Sequence, residues 1–234
     1  MQARQGTLLP TLHNAISLVR LGRFQQNPGD TALDMTACYF WNTALGGSLY
    51  ITMQALEVAL RNSLHAAATA HFGTDMWMAP AFGVIHPQDH GQVHKAIAKV
   101  QPNLTAGRVI HSFSFGFWTT LMDRRYDRRL WHPLVKTTFP AMPNHIRTRK
   151  DLSRRFNQIR ELRNRVFHHE RIWDWTYNAR TLPQQHQDIL EALGWISPAL
   201  RDTIVLFDQF PTIYAAGSAP FKAQLAAYER TLPK

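Results

Sequence analysis

TRKDLSRRFNQIRELRNRVFHHERIW, residues 148–173, opens on Thr148 with an acid three places on, Asp151. A threonine hydroxyl that accepts an early helical N–H, with an acid reaching back, is a helix-start pattern. Leu152, Phe156, Ile159, Leu162, Val166 and Phe167 follow at helical spacing. At about 100° per residue they gather on one side of a wheel, centred near Arg163. Glu161, Asn164 and His168 fall opposite, within about 60° of one another. The stretch predicts one long amphipathic helix, its apolar face in a core and its polar face carrying a histidine.

The rest of the chain reads the same way. Thr31 and Asp34 form another capping-box pattern, predicting a helix to about residue 45. Gly46-Gly47 reads as a break. A second helix is expected over 48–71, with Leu49, Met53, Leu56, Leu60 and Leu64 on one face and Gly73 after it. Residues 79–86 read as loop, 87–100 as a helix begun by Pro87, and 105–122 as a helix kinked at Gly116. A short helix after Pro133 is closed by Pro140 and Pro143. Helices are expected over 183–193 and 198–207, the latter capped by Ser197. Pro211, Gly217 and Pro220 suggest a loose link to a last helix over 221–230. No hairpin signal, strand–helix alternation or fixed repeat occurs, so the fold class expected is all-α. Its expected parts are an N-terminal segment at 1–30, an all-α domain at 31–210 and a C-terminal tail at 211–234.

Composition bounds the function. In 234 residues, 45% are apolar and 18% charged, which excludes a disordered chain. Lys and Arg number 26 against 16 acids, a net charge of +10, which suggests an anionic partner, nucleic acid or acidic lipid. The single cysteine, Cys38, excludes an intrachain disulfide framework and suits a reducing, cytoplasmic setting. It is expected to be a buried thiol. The N-terminus, with Arg4, Pro10, His13 and Asn14, does not read as a signal peptide. Residues 35–56 carry no charge, but they include Asn42, Gly46, Gly47, Ser48 and Gln54. They are expected to form a core hairpin rather than a membrane span.

Arg163, Asn164 and His168 are residue types able to cleave a phosphodiester without a metal. Histidine exchanges protons near neutral pH. The guanidinium fork matches phosphate and stabilises developing negative charge. Asn164 and His168, at i and i+4, can orient one another. Arg163 lies about 140° from His168 on an ideal wheel, so the three do not share one surface there. Residues 145–173 hold nine Lys or Arg against three acids, +6 of the total +10. The bland alternative is a solvated basic helix with an incidental histidine pair. Glu57 and Arg61 read as a helical ion pair, or Glu57 holds Arg163 instead. His86, His90 and His94 have metal-ligand spacing. However, His86 precedes a proline, and a solvated histidine face explains them more simply. Phe113, Phe115, Phe117 and Trp118 suit base stacking or, more commonly, core packing.

ELRNRVFHHERIW (161–173) resembles the C-terminal signature of the Abi-like, abortive-infection proteins of the HEPN superfamily. YFWNTALGGSLYITMQALEVALRN (39–62), FSFGFWTTLM (113–122) and RRLWHPLVKTTFP (128–140) are also similar to that family. Together they cover roughly residues 31–175. The resemblance implies a HEPN-type helical bundle and a metal-independent endoribonuclease site of the form Arg-x(4–6)-His, completed in a homodimer. It makes Arg163 and His168 the catalytic pair with Asn164 beside them, and His169 also satisfies the spacing. Arg154, Arg155, Arg160, Arg165 and Arg171 become the expected RNA-binding cations, with Glu57 and Arg61 in support. No metal or other cofactor is expected. The implied role is a toxin or phage-defence ribonuclease, with RNA as substrate and an antitoxin or small RNA as possible partner. The alternative within the same resemblance is a non-catalytic RNA-binding module.

Overall fold

The computed structural model describes residues 8–231. Residues 1–7 of the N-terminal segment, with Arg4, and 232–234 of the tail lie outside the described residues. The described residues form α1 (Leu8–Ile16), α2 (Leu18–Gly22), α3 (Ala32–Phe72), α4 (His90–Val100), α5 (Ala106–Ser112), α6 (Phe115–Thr120), α7 (His132–Thr138), α8 (Arg149–Phe167), α9 (Leu182–Ile196), α10 (Pro198–Val205), α11 (Phe210–Ala216) and α12 (Ala219–Thr231). Among them there is no strand, only an isolated bridge between Tyr177 and Arg180. The protein is all-α. No helix among the described residues is long and apolar enough to cross a membrane.

The helices assemble two compact units that do not follow chain order. Among the described residues, one takes 8–50, 165–183 and 208–231, and the other takes 51–164 and 184–207. Both α3 and α8 contribute residues to each.

In the first unit the capping box at Thr31 forms as read. The Thr31 hydroxyl lies 2.6 Å from Asp34 Oδ2, and the Asp34 N–H donates to Thr31 Oγ1 at 3.3 Å. The expected break at Gly46-Gly47 does not occur, and α3 runs through both glycines. Each glycine costs the helix about 1 kcal/mol relative to alanine. Trp41, Leu45 and Leu49, spaced by four residues, are buried, and each such side chain contributes about 1.5–3 kcal/mol to the unit. The tertiary term wins. Trp173 sits 5.6 Å from Trp41 and 5.7 Å from Phe24, ring centre to ring centre. Cys38 is buried here, as expected.

The loose link expected at 211–220 is instead two helices. Pro211 and Pro220 are each the second residue of a helix, where a missing N–H costs nothing. Trp41 Nε1 donates to the Ile213 carbonyl at 2.9 Å, and Lys222 pairs with Asp34 at 2.6 Å. The Lys222 ammonium, with the Thr31 hydroxyl second, lowers the Asp34 carboxyl to about 2.

In the second unit Met53, Leu56, Leu60 and Leu64 are buried as the spacing predicts. So are Leu152, Phe156, Ile159 and Leu162 of α8, with Phe139 5.7 Å from Phe156. The Thr148–Asp151 capping box closes, the hydroxyl 2.6 Å from the carboxylate. Ser197 caps α10 by accepting from the Leu200 N–H. The helix expected over 105–122 is broken at Phe113-Ser114 rather than bent at Gly116. Ser114 caps a fresh helix by accepting the Phe117 N–H at 3.4 Å. Phe113 stacks on Phe117 at 3.8 Å, and Phe113, Phe115, Phe117 and Trp118 are all buried. These rings form core, so base stacking is closed to them.

Candidate functional site

Within the second unit, α8 delivers Arg163 to α3. Its Nε lies 3.7 Å from Glu57 Oε2, both side chains about three-tenths exposed. Burial pushes the Glu57 carboxyl above its ordinary range, and the cations of Arg163 and, less, Arg61 draw it back. Of the two arrangements open for Glu57, the structure shows the one that holds Arg163. Arg61 Nε donates to Asn62 at 3.3 Å. Asn164 is half-buried.

The basic residues of α8 in this unit have different fates. Arg154 is 64% exposed and pairs along its own helix with Asp151 at 2.8 Å. Arg155 turns inward, between Asp188 at 3.2 Å and Glu191 at 2.6 Å, with its guanidinium over the Trp195 ring. Where the sequence suggested a phosphate for Arg155, two carboxylates, one of them nearly buried, pair with it here. Arg160 reaches the Thr119 hydroxyl at 3.3 Å and remains one-third exposed.

Within the first unit, α8 ends in a tight cap. The His169 N–H donates to the Val166 carbonyl at 3.0 Å, and the Glu170 N–H to the Arg165 carbonyl at 3.0 Å. This is the Schellman pattern, in which the residue after the cap takes the left-handed conformation, usually as glycine. Here that residue is His169, at φ +57°. His168 is the cap itself and is exposed. The apolar face read at residues 166–167 does not hold. Val166 is half-buried and Phe167 is 44% exposed, its ring 6.3 Å from Tyr50.

The segment after the cap is tied down by residues far away in the chain. Buried Asn42 accepts the Ile172 N–H at 2.8 Å and donates to the Glu170 carbonyl at 3.0 Å. Arg20 Nη2 donates to the His169 carbonyl at 2.8 Å. Arg171 pairs with Asp174, donates to the carbonyls of Arg23 and Gln25, and lies over Trp173. Arg165 pairs with Glu170 at 2.9 Å and lies over Trp175. Arg165 and Arg171 thus organise the loop that carries the histidines. Beside that loop is a cleft of about 720 Å³, walled by Arg20, Tyr39, Tyr50, Phe167 and His169 over Gly46 and Gly47.

Of the histidines at 86, 90 and 94, the first two have local partners and the third has its ring 6.2 Å from that of His90. His86 Nδ1 accepts the Gln88 N–H, and His90 Nε2 contacts the Ile85 carbonyl at 3.0 Å. Among the described residues no group of three His, Cys, Asp or Glu is placed to hold a metal.

No protein-family model, curated protein or solved structure matches the chain.

Sequence reading missed Asn42, Arg20 and the Tyr39–Tyr50 face of α3. Asn42 left a signal, as an amide in an uncharged apolar run that needs buried partners. Arg20 left none, because its partner is a backbone carbonyl 149 residues away.

Proposed function

We propose that the protein is a metal-independent endoribonuclease of the HEPN type, in which Arg163, Asn164 and His168 act on RNA. The observation that carries the reading is the sequence Arg163-Asn164-x3-His168 at the end of a basic helix. Supporting it, His168 is an exposed helix-end residue with solvent access, and Glu57 holds Arg163 while leaving it about three-tenths exposed.

In this reading a histidine removes the proton from an RNA 2′-hydroxyl, and that oxygen bonds to the adjacent phosphorus. The P–O5′ bond breaks and the leaving oxygen takes a proton. The products are a 2′,3′-cyclic phosphate and a 5′-hydroxyl end. Arg163 offsets the charge of the phosphorane, and Asn164 orients groups at the site. One His168 serves as base and the equivalent histidine of a second copy as acid, which requires a homodimer. The setting is the cytoplasm, the biological role a toxin or phage defence, and an antitoxin or small RNA a regulating partner.

The test is RNA incubation with wild type and His168→Ala, with the ends of the products identified. Cyclic-phosphate ends made by wild type and not by the variant support the reading. RNA bound but uncut by both would make the protein a binding module instead.

A further inference from the structure

We infer that the cleft beside the motif loop is a nucleotide-binding pocket that seats one RNA nucleotide, its base at the Tyr50–Phe167 end and its phosphate at the Arg20 end. This deepens the ribonuclease reading and rests on it for the identity of the ligand.

The cleft lies within the first unit and holds about 720 Å³, in the range of small-molecule sites. Its floor is one face of α3. Tyr39, Thr43, Gly46 and Tyr50 recur there at four, three and four residues, so they share a stripe about 16 Å long. Aromatic rings stand at both ends, with a threonine and two glycines between them. Gly46 and Gly47 cost the helix stability, yet α3 runs through both without a break. A Cβ at Gly47 would meet nothing within 4 Å, so no neighbouring atom requires glycine there. A Cβ at Gly46 would meet Val166 Cγ1 at 3.5 Å, an ordinary contact, so the open floor is at Gly47.

The two ends differ in chemistry. At one end Tyr50 and Phe167 are 49% and 44% exposed, a pair of large rings facing solvent. Aromatic faces of this kind stack on bases irrespective of their sequence. At the other end the Arg20 guanidinium is held by the His169 carbonyl and lies 5.9 Å over the Tyr39 ring. That bond uses one of its five N–H donors and leaves others for a phosphate. His169 also lines the cleft, in its left-handed backbone conformation and with its carbonyl bound by Arg20. The acid in the lining, Glu170, is neutralised by Arg165 at 2.9 Å. A planar apolar group joined to an anion matches this order of walls.

The experiment measures binding separately from cleavage. AMP, GMP, CMP and UMP, the four nucleosides and inorganic phosphate are titrated by calorimetry into wild type, Gly47→Leu and Tyr50→Ala. Nucleotides should bind, and nucleosides and phosphate much more weakly. Gly47→Leu should abolish binding with a melting temperature equal to or above wild type, since leucine is the better helix former. Tyr50→Ala should weaken binding roughly tenfold or more, the worth of one stacked base. Absence of nucleotide binding, or unchanged binding in both pocket variants, overturns the inference. If RNA is cut while Gly47→Leu cuts it with the same rate and base preference, the pocket fails and the nuclease stands. If nucleotides bind in a Gly47-dependent way and no RNA is cut, the pocket stands and the nuclease reading fails.

Discussion

Arg163 Nε lies 3.7 Å from the carboxylate of Glu57, an acid whose pKa burial raises above its ordinary 4.5 despite that cation. A raised carboxyl binds its proton more tightly folded than unfolded. Stability should therefore be higher at low pH and fall as pH rises from 4.5 through the raised titration. Glu57→Gln should flatten that part of the stability–pH curve measured by urea melts. Arg163→Ala should steepen it, since the nearest cation is lost, and should also abolish RNA cleavage. An unchanged curve in both variants would mean that the pair carries no linkage.

The two histidines should separate cleanly. His168→Ala should abolish cleavage with an unchanged melting curve, because His168 is exposed and the cap bonds are made by the backbone of its neighbours. His169→Ala should cut RNA better than His168→Ala does. His169→Gly should stabilise the fold by about 0.5–1 kcal/mol, since a left-handed position costs a side-chain-bearing residue about 1–2 kcal/mol, part of it returned by glycine's freedom when unfolded. A dead His169→Ala beside an active His168→Ala would move the catalytic role to His169.

Arg154 and Arg155 are neighbours in sequence with opposite expected phenotypes. Arg154→Ala should leave stability within about 0.5 kcal/mol and lower the log–log salt slope of RNA binding by about one. Arg155→Ala should destabilise the fold measurably more than Arg154→Ala does, because it removes the cation 3.2 Å from the Asp188 carboxylate, 2% exposed. A stable Arg155→Ala with a reduced salt slope would return Arg155 to the RNA-facing set.

Asn42→Ala should cost about 1–3 kcal/mol by leaving the buried Ile172 N–H without its acceptor. The same change frees the loop after the helix cap, so RNA cleavage should fall while Arg154-dependent RNA binding persists. Cleavage at the wild-type rate in a destabilised Asn42→Ala would show that the loop needs no such tether.

Catalysis should survive EDTA, and light scattering at micromolar concentration should give about twice the 26.9 kDa chain mass. A monomer that still cuts RNA would remove the shared-site mechanism.

Much of the fold was legible because helix starts are local. Thr31 with Asp34, Thr148 with Asp151, and Ser197 before Pro198 lie within a few residues of the groups they satisfy. The buried stripe from Leu152 to Leu162 follows from helical periodicity alone, and the all-α class follows from the absence of any competing period. The prolines at 211 and 220 show the limit of such reading, since the same residue that ends one helix opens another.

By itself, then, the sequence determined where helices begin, which face of each is apolar, and that Arg163, Asn164 and His168 share one short segment. Tertiary structure decided what those local signals could not reach. It carried α3 through Gly46-Gly47, turned Arg155 towards Asp188 and Glu191, and left Phe167 beside Tyr50. It also tied Ile172 to Asn42, 130 residues away. The physical reason is range: a cap or a helical stripe is settled by neighbours within a few residues, whereas an ion pair, a buried amide or a cleft exists only once distant parts of the chain have met.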